Sequence, residues 1–305
     1  MISSHNEWDT LREVVVGSAT GANWPFTDPV FAQESVKTTW RESPVPSGAV
    51  PQWIQDEANQ DLDALATELV RRGVVVRRPQ ARDFAATSGM YNYCPRDRLL
   101  IAGDTIVDCA MMYPCRDQEI ECLDRIVQQT DRMIHMPRNQ GMILDAANIC
   151  RLEDTWLFLE SASGNRAAYE WLCAQFPKIT IELCNFYSGV HIDSTIVPIH
   201  EGLVLLNASR VNPDNCPQAF RKWQKIWVHD VIPQDFYQYP YASKWIGMNL
   251  LMLDPQTAIV DAAQTRLHDQ LDLNGITVIP MSLRHSRTLG GGFHCVTLDL
   301  FRDQS

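Results

Sequence analysis

The chain has 305 residues, 45% of them apolar, and a formal charge of −11, so it can bury a large core but lacks the basic surplus that nucleic acid or an anionic membrane calls for. No apolar run approaches the ~18 residues needed to span a bilayer. Residues 1–8 have neither the basic nor the apolar region of a signal peptide, and a cytoplasmic location is expected. The nine cysteines are an odd number with no C-x-x-C pair, which excludes zinc-ribbon and thioredoxin readings and predicts mostly free thiols.

No linker rich in Pro, Gly or Ser divides the sequence, so residues 1–305 read as a single domain. A unit of strand, turn, strand, helix and strand recurs along it. The first unit runs from strand 11–17 through helix 54–72 to strand 73–79, with the Pro-rich stretch 43–51 as a surface loop. The second has strands 98–101 and 105–108, helix 118–129 and strand 132–137. The third has strands 147–152 and 156–160, helix 165–176 and strand 179–183. The fourth has strands 193–199 and 203–207, a helix around 217–224 and strand 227–232. The fifth has strands 250–254 and 257–261, helix 264–273 and strand 276–280. Gly103-Asp104, Glu201-Gly202 and Asp254-Pro255 punctuate hairpins, and Gly73 and Gly275 stand where a helix ends on a left-handed residue. Five ββαβ-like units at a period of roughly 50–60 residues predict an α/β fold with pseudo-fivefold symmetry that closes radially. The final strand, 293–300, would complete the ring against the first unit. Loops from several units would then share one centre. Trp53, Trp156, Trp171, Trp223 and Trp227 fall in apolar periodic segments and read as core.

Gly290-Gly291-Gly292 supplies a backbone that lets another group approach closely, directly before Cys295. A thiol there suits a nucleophile, although free Cys is also among the most buried residue types. His294 is set aside as its base, because neighbours on a strand face opposite ways. His191 and Asp193 share a face after Gly189, but an isolated H-x-D is more often a surface pair beside a turn. Asp145 follows an apolar run and precedes two alanines; buried, it needs a partner such as a histidine ring, and exposed, it would cap the next element. Cys94-Pro95-Arg96-Asp97-Arg98 reads as an ordinary charged turn, and Arg284, His285 and Arg287 as a solvated loop. His135, His229 and His268 lack ligand-spaced companions, so no metal site is expected.

Taken together these pieces resemble the amidinotransferases of the arginine:glycine and arginine:inosamine-phosphate type, in the guanidine-modifying pentein superfamily. The matching runs are Asn6-Glu7-Trp8-Asp9, Val14-Val15-Val16-Gly17, Pro95-Arg96-Asp97, Leu144-Asp145-Ala146-Ala147, His191-Ile192-Asp193, Ser243-Lys244-Trp245-Ile246-Gly247-Met248-Asn249 and the Gly-rich cysteine motif. They span nearly the whole chain in the family's order. The resemblance implies a five-bladed α/β propeller, Cys295 as nucleophile, His191 as general acid/base and Asp145 as the residue orienting it. It further implies that Asp97 and Asp193 bind the guanidinium and that Arg210 and Ser243 hold the donor's carboxylate. The implied reaction moves the amidino group of L-arginine to an amine acceptor through a Cys-bound intermediate, with no cofactor. Both partners are small molecules, and a homo-oligomer is compatible with the family.

The match departs at Asn148, where the family has a second aspartate, at Ala242 in place of a serine, and at Val190, where glycine-using members carry a larger residue. The segment 135–145 is also shorter than theirs. These changes are expected around the pocket walls, pointing to an acceptor other than glycine in specialised metabolism. A hydrolase with the same Cys-His-Asp apparatus is the enzymatic alternative, and a catalytically silent binding protein the non-enzymatic one.

Overall fold

The computed structural model describes residues 2–36, 46–128, 130, 132–233 and 241–304. Residues 43–45 of the expected loop and residue 129 of the expected second helix lie outside these. Among the described residues the strands form five three-stranded sheets and a two-stranded ribbon, Asn23–Trp24 with Gly48–Ala49.

Four sheets follow one rule. Two antiparallel strands are joined by a tight hairpin, and a crossover then brings a third strand parallel to the second. They are Leu99–Ala102, Thr105–Asp108 and Met133–His135; Ile149–Leu152, Thr155–Leu159 and Thr180–Cys184; Ile196–His200, Leu203–Asn207 and Gln224–Val228; and Leu251–Asp254, Thr257–Asp261 and Thr277–Met281. In the remaining sheet Leu11–Val16 runs parallel to Val75–Arg77, and its antiparallel neighbour is the chain's last strand, Thr297–Arg302. The C-terminal strand thus seals the first sheet, with Val15 opposite Leu298.

Local chemistry explains these elements. Gly103 and Gly202 turn their hairpins at φ +63° and +94°, a region open to glycine at no steric cost. Middle strands such as Leu203–Asn207 are buried at every residue, as expected of strands covered on both faces. Helix Gln52–Arg71 buries Ile54, Ala58, Leu62, Leu65 and Leu69, one stripe at helical spacing. Helix Arg166–Gln175 starts at Asn165, whose side chain accepts from the Ala168 amide at 3.0 Å.

Several expectations need correction. The fourth crossover holds only a 3₁₀ turn, Gln218–Phe220, whose leading amides donate to the Glu182 carboxylate. The second is a 3₁₀ segment, Pro114–Leu123, running into the short helix Asp124–Val127. Residues 293–296 are not strand, because Val296 and Thr297 amides bond back to Gly292 and His294 carbonyls and wind the chain into a turn. Residues 193–195 are likewise turned, by Thr195 and Ile196 amides on the Ile192 carbonyl. Pro95–Arg98 is a buried helical turn rather than a solvated one. Arg284 and His285 pair with Asp61 and Glu57 on the long helix, so that loop is anchored. Trp156 is core, whereas Trp53 is 44% exposed.

A buried ionic cluster links the first, second, third and fifth sheets. Arg151 of the third sheet donates to Asp299 of the first at 2.7 Å, to Glu7 at 2.9 Å and to the Ile101 carbonyl of the second at 2.9 Å. Arg302 donates to Asp299 and to the Met252 carbonyl of the fifth. Arg96 pairs with both Asp299 and Glu7. No helix among the described residues is long and apolar enough to cross a membrane.

Candidate active site

A cavity of about 690 Å³ is lined by Cys295, His191, Asp145, Asp97, Asp193, Arg210 and Ser243 together. The seven positions singled out from sequence therefore reach one space from distant parts of the chain.

Cys295 follows the helical turn Ser286–Leu289 and its left-handed Gly290, φ +82°. Asn249 fixes the thiol-bearing backbone, its Oδ1 accepting from the amides of His294 at 2.9 Å and Cys295 at 3.0 Å. A Cβ on Gly292 would stand 2.6 Å from the Asn249 Cβ, so only glycine permits this approach. The thiol donates to Asp193 Oδ2 at 3.1 Å. Burial, and then the neighbouring carboxylates and Cys94, push its pKa well up and favour the thiol form.

His191 is held by its own backbone. At φ +60° it occupies a left-handed position unusual for a residue with a Cβ. Its amide donates to Asn148 Oδ1 and Ser163 Oγ at 3.2 and 3.3 Å, and the Tyr187 hydroxyl binds its carbonyl. The ring Nε2 meets Asp145 Oδ2 at 3.0 Å, while Nδ1 lies 3.7 Å from Asp97 Oδ1. Burial alone would lower the imidazole pKa; Asp97 and Asp145 outweigh it and raise it to about 9. Asp145 is itself oriented by the Met112 amide, 2.8 Å from its other oxygen.

Asp97 gives one oxygen to Arg116 at 2.9 Å. Its other oxygen is buried and has no hydrogen-bond partner among the described residues. Burial lifts the Asp97 pKa against the pull of His191 and Arg116. Asp193 is held down to about 2: burial opposes this, and His294 outweighs it. Arg210 stacks 4.1 Å from the Tyr187 ring centroid and donates to Thr195 Oγ1 at 2.8 Å. Among the described residues it has no carboxylate partner. Ser243 opens the 3₁₀ segment Lys244–Met248 on the same wall.

Four residues that sequence reasoning left without a role shape the site. Arg116, clamped by Glu119 at 2.8 and 3.0 Å, orients Asp97. Asn249 was quoted only as part of a motif. Tyr187 ties Arg210 to His191. His294, set aside on strand alternation, in fact contacts the carboxylate that holds the thiol, at 2.9 Å, because its segment is a turn. Of the three departures, Val190 and Ala242 do line the cavity. Asn148 does not: it is fully buried behind His191, donating to the Leu159 carbonyl and Ser161 Oγ.

No protein-family model matches the chain. It is 40% identical over 337 aligned positions to inosamine-phosphate amidinotransferase 1 of Streptomyces griseus, covering 99% of this chain and 97% of that protein. It is 28% identical to the L-arginine:L-lysine amidinotransferase of Pseudomonas savastanoi pv. phaseolicola, over 99% of this chain and 94% of the relative. The solved structure of the inosamine-phosphate amidinotransferase StrB1 from Streptomyces griseus superposes with a TM-score of 0.91 at 37% identity, covering 100% of this chain and 98% of that one.

Proposed function

Because the chain belongs to the amidinotransferase family of the pentein superfamily, we propose that it moves the amidino group of L-arginine to an amine acceptor through a thioether on Cys295, releasing ornithine. The five sheets are then the blades of a five-bladed α/β propeller, and the cavity lies where their loops converge. The observation that carries the reading is the buried Asp97 oxygen that, among the described residues, accepts no hydrogen bond and lies 3.7 Å from His191, in the cavity that also holds the Cys295 thiol.

Asp97 and Asp193 would grip the planar guanidinium by charge-assisted hydrogen bonds, with Arg210 and Ser243 on the amino-acid carboxylate. The substrate's own cation favours the thiolate, so Cys295 gives its proton up to solvent as arginine binds. Sulfur attacks the guanidinium carbon, and the His191 imidazolium gives its proton to the departing nitrogen of ornithine. The neutral imidazole then takes a proton from the acceptor amine as that amine attacks the amidino carbon, and the C–S bond breaks to return the thiolate. One acid/base thus serves both halves. This chemistry needs no metal or organic cofactor. An arginine donor is in keeping with the name of the L-arginine:L-lysine relative. Val190 and Ala242 on the wall favour an acceptor other than glycine.

Incubation with L-arginine alone should release one equivalent of ornithine per site and then stop, resuming when a competent amine is added. Steady citrulline release without any amine would overturn the transferase reading in favour of hydrolysis.

A further inference from the structure

Glu7 lies in the Asn6-Glu7-Trp8-Asp9 run, which the chemistry above does not use, and His294 directly precedes the thiol. Glu7 is buried and His294 mostly so, its side chain 13% exposed, and the two are in contact. His294 Nδ1 is 2.9 Å from Asp193 Oδ2, the same atom that accepts from Cys295. Its Nε2 is 3.2 Å from Glu7 Oε2. Glu7 is fixed in turn by Arg151 at 2.9 and 3.0 Å and by Arg96 at 3.4 Å. An imidazole with a carboxylate oxygen at each nitrogen can satisfy both only by donating from both, which the imidazolium alone can do. Among the described residues, every hydrogen bond to the Asp193 carboxylate ends on Oδ2, which leaves Oδ1 to a substrate.

We propose that His294, clamped by Glu7, is a positioning residue. As an imidazolium it keeps Asp193 ionised and turned, so that one oxygen holds the Cys295 thiol while the other faces the guanidinium. The inference rests on the roles proposed above for Cys295 and Asp193. It gives the Asn-Glu-Trp-Asp run a purpose: Glu7 holds the histidine charged beside the thiol.

The charges facing His294 are Asp193 and Glu7 at its ring, Arg96 at its carbonyl, and Cys295 alongside; Arg151 and Asp299 stand behind Glu7. Burial and Arg96 oppose protonation, and the two carboxylates outweigh them, raising the His294 pKa. The imidazolium also offsets the Asp193 charge felt by the thiol, so its loss should make Cys295 harder to ionise.

The test uses His294→Gln, which keeps a donor but no charge. Alkylation of Cys295 by iodoacetamide in the intact, arginine-free protein is followed by mass spectrometry across pH. The variant should alkylate about tenfold more slowly at neutral pH, its profile displaced to higher pH by about one unit. An unchanged profile would overturn the proposal. Imidazole NMR supplies a second reading, independent of whether that variant folds. His294 in the wild type should stay doubly protonated at pH 7 and lose the proton at lower pH in Glu7→Gln. A neutral His294 ring at pH 6 in the wild type would equally refute it. Neither readout needs turnover, so absent amidino transfer with both shifts present would sink the functional proposal and leave this one standing.

Discussion

His191 illustrates how a single side chain is aimed here. Its left-handed backbone is pinned by Asn148, Ser163 and Tyr187, and its ring is pinned by Asp145. Asp145→Asn keeps the shape but removes the charge that fixes the ring and stabilises the imidazolium. We expect kcat to fall by about 10²–10⁴-fold, on the scale seen when a triad carboxylate is neutralised, with the fold retained by circular dichroism. The pH dependence has a definite sign. The folded pKa of His191 is raised to about 9, so its stabilising contribution is complete below its ordinary value of about 6.5 and is lost as pH rises through about 9. Ornithine release should decline over that same range, and in Asp145→Asn the decline should begin at lower pH. An unchanged alkaline limb in the variant would contradict the assigned pairing. At this scale the sequence was legible where chemistry and motif coincided: Cys295, His191, Asp145, Asp97, Asp193, Arg210 and Ser243 all reach the cavity. Arg116 and Tyr187 carried no such signal, since their importance lies in what the fold brings beside them. The alternation rule that sets His294 aside as the base does not apply, because its segment is a turn.

Elements were legible where periodicity was strong. The helix Gln52–Arg71 with its apolar stripe, the glycine hairpins and the parallel third strands all follow from pattern. Starts of strands near the site were not, because residues 193–195 and 293–296 run straight into apolar strands while local amides close turns there. Those turns let consecutive residues, His294 and Cys295, address the same carboxylate. Capping offers a quantitative check. Asn165 caps the helix Arg166–Gln175 and also donates to the Gly141 carbonyl at 2.7 Å. Asn165→Ala should cost about 0.5–2 kcal/mol, measured by urea denaturation, with the slope unchanged; a neutral result would mean that the cap is replaced by water. Gly292→Ala should be worse than a cap loss for activity, because the new Cβ must push away Asn249, which aligns the Cys295 amide.

For the whole molecule, the buried ionic cluster ties the first, second, third and fifth sheets together beside the apolar packing between neighbours. Arg151 alone reaches Glu7, Asp299 and a carbonyl of the neighbouring sheet while only 2% exposed. Arg151→Met would leave two buried carboxylates short of a partner. A loss of about 3–5 kcal/mol is expected, the usual consequence of breaking a buried pair from one side, and a change under about 1 kcal/mol by denaturant titration would contradict the cluster's structural role. Repeat counting predicted five units and the sealing of the first sheet by the last strand, because hairpin glycines and apolar runs recur. It could not foresee the buried charge between the sheets, since arginines scattered through separate units look individually like surface residues.

The most direct measurement is mass spectrometry of the Cys295 peptide after the protein is mixed with L-arginine isotopically labelled at the guanidino carbon, without acceptor. The account predicts one labelled amidino group on Cys295, one equivalent of ornithine, and no adduct in Cys295→Ala. An unmodified Cys295 under conditions where arginine demonstrably binds, or label on another residue, would contradict it.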